Sequence, residues 1–113
     1  MKQDYWSIEF VNQSSLNEFN ALPNGIKARM TYIIQMLRIY GNQVGEPHTA
    51  HLSDDLFEIR AKSKEGIARS IYCYQTSKKI LILATAIKKQ NKLAKYFIEL
   101  AKNRLKVFQN ANN

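Results

Sequence analysis

The stretch LFEIRAK-SKEG-IARSIYCYQ-TSKK-ILILATAI, residues 56–87, decides the fold. Its first segment alternates strictly. Phe57, Ile59 and Ala61 fall on one face, and Glu58, Arg60 and Lys62 on the other, as a strand requires. SKEG reads as a turn, IARSIYCYQ as a second strand and TSKK as another turn. ILILATAI is apolar on both faces, which predicts a central strand covered on each side. Turns this short join antiparallel neighbours, so the three strands are expected to form a meander.

Working outward, YWSIEFV (5–11) is rich in aromatic and β-branched residues and reads as an earlier strand. NQSSLNEFNAL follows, with Asn12, Ser14 or Ser15 available to cap a short helix. After the break at Pro23-Asn24-Gly25, Ile26, Met30, Ile33, Ile34 and Leu37 recur at helical spacing, giving an amphipathic helix that stops at Gly41. GNQVGEPHTAHLSD is polar, holds two glycines and a proline, and reads as a loop. A last helix is expected from Leu93 to Phe108. Its core stripe is Phe97, Leu100, Ala101, Leu105 and Phe108; its outer stripe is Lys92, Lys95, Glu99, Lys102 and Lys106. The order is β-α-α-β-β-β-α. This is an α+β domain, a small antiparallel sheet with helices packed on it, spanning 1–113 with residues 109–113 expected to fray.

A chain of 113 residues with a 45% apolar composition suffices for one core. The lone Cys73 makes no internal disulfide, sits in a strand pattern and points to a reducing compartment. The charged opening MKQDYWSIEF is unlike a signal peptide, and Ile80–Ile87 falls far short of the roughly 20 apolar residues of a membrane helix. A soluble cytoplasmic protein is expected. His48 and His51 stand three apart with no cluster of further ligands, so no metal or other cofactor is expected, although either imidazole could serve as an acid or base.

The net charge of +8 is unevenly divided: residues 1–59 carry four Lys or Arg against seven acids, and residues 60–113 carry thirteen against two. Such asymmetry implies a polyanionic partner, nucleic acid foremost, against the alternative of a merely solvated basic face. The burst Ala86-Ile87-Lys88-Lys89-Gln90-Asn91-Lys92 delivers cations to the end of the central strand. RNA can be cut there without metal or added water. The 2′-hydroxyl attacks its own 3′-phosphate and the 5′-oxygen leaves, given a base, cations on the phosphate oxygens and a proton donor. Crowded lysines can supply the base, because neighbouring cations disfavour the charged form of a lysine.

In order and spacing, GEPHTAHLSDDLFEIR (45–60), GIARSIYCYQ (66–75), AIKKQNK (86–92) and YFIELAKNRL (96–105) resemble the RelE/ParE superfamily of bacterial toxins, in particular its HigB-like branch with phage-derived relatives. The resemblance implies a metal-independent endoribonuclease that cuts mRNA on the ribosome, and an antitoxin partner, commonly of helix-turn-helix type. By the same resemblance Arg60 matches a basic catalytic position and Arg69 the arginine that holds the scissile phosphate. Lys89 matches a cation at the family's strand end and is assigned to the phosphate, with Lys88 or Lys92 as the proton-transferring group; Tyr96 lies near, one residue from, a family tyrosine that acts in acid-base work or stacks on a base. Lys62, Lys95, Lys102 and Lys106 are expected to contact RNA or the ribosome.

Each residue also has a plain reading. Arg60 could pair with Glu58 or Glu65, Arg69 could form a structural ion pair, and the lysines could be solvated. Tyr96, Tyr72 and Tyr74 could simply pack. Strict alternation places Arg69 on the face of Ile71 and Cys73, so either a bulge re-aims it or that face is the cleft. Where many relatives continue Lys-Thr-Pro, this chain has Lys92-Leu93-Ala94, which removes a preset turn and a hydroxyl. Alternatives are a non-catalytic member binding RNA or antitoxin, a ParE-like gyrase poison, and an unrelated DNA-binding domain. The last is disfavoured because neither helical pair has the short turn of a helix-turn-helix.

Overall fold

Apolar side chains leave the sheet on both faces, and each set meets a helix. The computed structural model describes residues 4–88 and 95–112. Its elements are β1 (Ser7–Phe10), α1 (Gln13–Asn20), α2 (Asn24–Tyr40), a 3-10 turn (Gly41–Gln43), β2 (Thr49–Ser53), β3 (Leu56–Ser63), β4 (Gly66–Gln75), β5 (Lys79–Ile87) and α3 (Lys95–Ala111). The strands form one sheet in the order β1-β5-β4-β3-β2.

The expected meander is β3-β4-β5, antiparallel throughout. Three features differ from the sequence reading, the first being that α3 runs on to Ala111 through residues expected to fray. Thr49–Ser53, expected in a loop, is an antiparallel edge strand on β3. Its alternation is too brief and its neighbours too polar to show against the surrounding turn residues. β1 runs parallel to β5, so the sheet is mixed rather than wholly antiparallel. The α1–α2 connection carries the chain from β1 at one edge to β2 at the other, and the meander then brings β5 back beside β1, so no hairpin ties the two and they can run parallel.

On one face α2 buries Ile26, Met30, Ile33, Ile34 and Leu37 against Ile59, Ala61, Ala68, Tyr72, Ile80 and Ile82. On the other, Phe97 and Ala101 of α3 pack on Ile71, Cys73, Leu81 and Leu83. β5 is thus covered on both sides, as its composition demands. Asn12 caps α1, its Oδ1 accepting from Ser15 N at 2.8 Å. Where β1 stops, α1 takes over the edge of β5. Ser15 Oγ donates to Ile82 O at 2.9 Å, and Thr85 N donates to Glu18 Oε1 at 3.0 Å. Arg104 of α3 closes the corner with two bonds to Glu18, of 2.9 and 2.7 Å, and one of 2.9 Å to Leu83 O. Among the described residues no helix is long and apolar enough to cross a membrane.

Candidate functional site: a cationic cleft at the end of the meander

The face of Arg69 is settled by the strand register. β3 and β4 pair without interruption from Phe57↔Tyr72 to Ser63↔Gly66, with Arg60 directly opposite Arg69. The irregularity lies elsewhere, in β5, where Ile71 pairs with Ala84 and Tyr72 with Ile82, skipping Leu83. No bulge turns Arg69 away. The face it shares with Ile71 and Cys73 is covered by α3 around those two residues and opens into a cleft at the arginines.

That cleft measures about 610 Å³. Arg60 and Lys62 enter it from β3, Arg69 from β4, Lys88 from just beyond β5 and Arg29 from α2, with Pro47, His48 and Ile67 completing the wall. Arg29 reaches it from the opposite layer because β2 ends its pairing at Thr49↔Ile59, leaving the outer edge of β3 without a strand beyond that point. The backbone of Lys88 is fixed by its N donating to Ile67 O at 2.7 Å. Five cations in one hollow form an anion site by charge alone, and arginine forks suit the paired oxygens of a phosphate.

Beneath the two arginines lies a carboxylate. Glu58 is 1% exposed. Its Oε1 accepts from Arg60 Nε at 2.7 Å, and its Oε2 lies 3.6 Å from Arg69 Nη1. Arg60 Nη1 also lies 3.6 Å from the exposed Glu46. The ion-pair reading of Arg60 is therefore present in part, although along one strand rather than across two. Replacing a buried ion pair by well-packed apolar residues is often neutral or stabilising by about 1–4 kcal/mol, so stability alone does not explain a carboxylate here.

Of the expected site residues, Arg60, Arg69, Lys88 and Lys62 line the one cleft. Lys89 and Lys92 lie outside the described residues. Tyr96 is 73% exposed on the first turn of α3 and is not part of the cleft wall. Lys95, Lys102 and Lys106 are exposed along the outer side of α3 and also stand apart from it. Tyr72 and Tyr74 belong to the core beneath α2, where they contact each other and Phe57. Burial pushes the Tyr72 hydroxyl far above the usual phenol range, and burial raises Tyr74 as well. Cys73 is buried too, which raises its thiol.

Sequence reasoning missed Arg29, because an exposed arginine on an amphipathic helix looks like any solvated one. It placed Glu58 on a polar face that was expected to be wet. His48 was weighed as a loop imidazole able to serve as an acid or base, without a place beside the arginines. The signal that could have found Glu58 is its spacing: an acid two residues from Arg60 on the same strand face, with a second arginine across the turn.

Residues 17–106 match the family described as phage derived protein Gp49-like (DUF891). Among solved structures, a chain of the archaeal RelE-RelB complex from Pyrococcus horikoshii OT3 is similar with a TM-score of 0.55 and 20% identity, over 75% of this chain and 97% of that one. A chain of the toxin-antitoxin complex RelBE2 from Mycobacterium tuberculosis aligns with a TM-score of 0.48 and 15% identity, over 79% and 98% of the respective chains. No curated protein matches. At 20% identity the likeness to the archaeal chain speaks to the fold.

Proposed function

This chain belongs to the phage-derived Gp49-like family and has a RelE-like fold, and from these premises we propose that it is the toxin of a type II toxin–antitoxin pair, an endoribonuclease that cuts mRNA on the ribosome. The observation that carries the reading is the convergence of Arg29, Arg60, Lys62, Arg69 and Lys88, from four separate segments, on one cleft. Phosphate contacts of this kind supply affinity, and preorganised cations supply transition-state stabilisation.

In the reaction the 2′-oxygen of one nucleotide attacks the adjacent phosphorus and loses its proton to a base. The 5′-oxygen of the next nucleotide leaves and takes a proton. The products are a 2′,3′-cyclic phosphate and a 5′-hydroxyl, with no metal or water consumed. Arg69 and Arg60 hold the charge that builds on the phosphoryl oxygens. Lys89 adds a third cation, and Lys88 or Lys92 transfers the proton. Tyr96 serves the leaving group or stacks on a base, and His48 brings an imidazole to the same wall as a further candidate for proton transfer. Lys62, with Lys95, Lys102 and Lys106 on α3, contacts the RNA backbone. The archaeal neighbour was solved as a complex with RelB, which supports an antitoxin partner for this chain; the helix-turn-helix type is what the family resemblance implies. Action on the ribosome implies a cytoplasmic site.

The exposure of Tyr96 outside the cleft wall favours one second reading, a member that binds RNA or antitoxin without cutting. Regulated expression in cells separates the two. Growth arrest with cleaved transcripts is expected, and Arg69→Ala or Lys89→Ala should abolish it while the protein still folds. No arrest, with salt-sensitive RNA binding retained, would favour the non-cutting reading. Arrest with DNA breaks would point to a gyrase poison.

A further inference from the structure

We infer that Glu58 is a positioning residue that holds Arg60 and Arg69 as one preorganised phosphate clamp; its consequence for catalysis rests on the endoribonuclease reading above. Arg60 and Arg69 face each other across β3 and β4, an arrangement that repulsion between like charges would splay. Glu58 lies on the same strand face as Arg60, two residues away, and reaches both: 2.7 Å to Arg60 Nε and 3.6 Å to Arg69 Nη1. It uses the Nε edge of Arg60, so the Nη groups remain directed elsewhere. One of them is near Glu46, whose side chain is 76% exposed. The side chains of Arg69 and Glu58 are 11% and 1% exposed, so their geometry is set within the fold, whereas Arg60 at 41% extends from that base into solvent.

A carboxylate this close to a phosphate site weakens the site's attraction for RNA while fixing its shape. These two effects have opposite signs in binding and in cutting, and the test uses that opposition. Three measurements are made on the full chain and on Glu58→Gln, which keeps an acceptor for Arg60 Nε but removes the charge. The first is affinity for a short single-stranded RNA with 2′-O-methyl groups, which cannot be cut. The second is single-turnover cleavage of mRNA on ribosomes. The third is solvent exchange of the arginine Nε–Hε resonances by NMR.

For Glu58→Gln the affinity is expected to hold or rise, while cleavage falls by about tenfold to a hundredfold, the scale of a misplaced catalytic group. Protection of the Arg60 Nε–Hε signal should weaken, because its 2.7 Å bond then runs to a neutral amide instead of a carboxylate. A folded Glu58→Gln that cleaves at the wild-type rate overturns the inference. So does a wild-type protein whose Arg60 Nε–Hε exchanges as fast as that of the exposed Arg38. If the wild type cuts nothing, the endoribonuclease reading fails, and the resonances still decide the role of Glu58. The wild-type resonances decide it likewise if Glu58→Gln does not fold.

Discussion

At Arg60 and Arg69 two like charges stand directly opposite each other, and the Glu58 carboxylate reaches the guanidinium of each. Glu58→Ala leaves Arg69 partly buried without that carboxylate and should cost about 3 kcal/mol in urea unfolding, the lower end for breaking a buried pair because Arg60 still reaches water. Glu58→Gln should cost clearly less. On the other face, Tyr72 and Tyr74 set an alkaline limit. Their folded values lie above the ordinary 10.0, so the folded state keeps protons that the unfolded chain loses above that pH. Their contribution is intact below pH 10.0 and declines as pH rises beyond it, so thermal midpoints should fall there. Midpoints that stay level through that range would contradict the burial of both phenols. Arg60 and Arg69 were singled out by the family resemblance and Lys88 by its place at a strand end, and strand position alone left the direction of Arg69 open. Glu58 and Arg29 were not, since what sets them apart is their three-dimensional surroundings rather than their type.

Among the elements, α2 begins at Pro23 with no side-chain cap of its own. The turn between β3 and β4 supplies one: Glu65 Oε1 accepts from Gly25 N at 2.6 Å and Ile26 N at 3.1 Å. A Cβ at position 25 would stand 2.6 Å from Glu65 Oε1, so a larger residue there would push the capping carboxylate aside. The bond joins the hairpin that carries Arg60 and Arg69 to the helix that carries Arg29. Glu65→Ala should therefore lower stability by about 1 kcal/mol, as the loss of a cap does. It should also weaken RNA binding through Arg29; unchanged stability would show that the cap contributes nothing. Arg104→Lys should loosen α3, because an ammonium cannot replace the fork that spans Glu18 and Leu83 O. Faster amide exchange in α3 would report it, and exchange as slow as in the wild type would contradict it. Periodicity made β3 and the core stripe of α2 legible, and β4 and β5 were legible from strand-rich composition between short turns, β5 as an unbroken apolar run. β2 and the parallel pairing of β1 were not, since a short edge strand carries little pattern and strand direction depends on the crossover. The ties through Glu65 and Arg104 are long-range and leave no local trace.

For the molecule as a whole, the described cations after residue 59 gather mainly in the cleft and along the outer side of α3 with Lys95, Lys102 and Lys106, while Lys78, Lys79 and Arg104 pair with Asp4, Glu9 and Glu18. The imbalance was plain in the sequence; its division between a hollow and a helix face was not. RNA affinity should fall steeply with salt, and Lys62→Ala should reduce the slope of log K against log salt by about one. A slope unchanged in that variant would remove Lys62 from the phosphate path. The central claim, that the cationic cleft cuts RNA at its own 2′-hydroxyl, is tested most directly by incubating the purified chain with mRNA on purified ribosomes and reading the new 3′ ends. Ends bearing 2′,3′-cyclic phosphate, formed only when ribosomes are present and lost in a folded Arg69→Ala, are expected. Intact mRNA, or cutting that continues undiminished in Arg69→Ala, would contradict the claim.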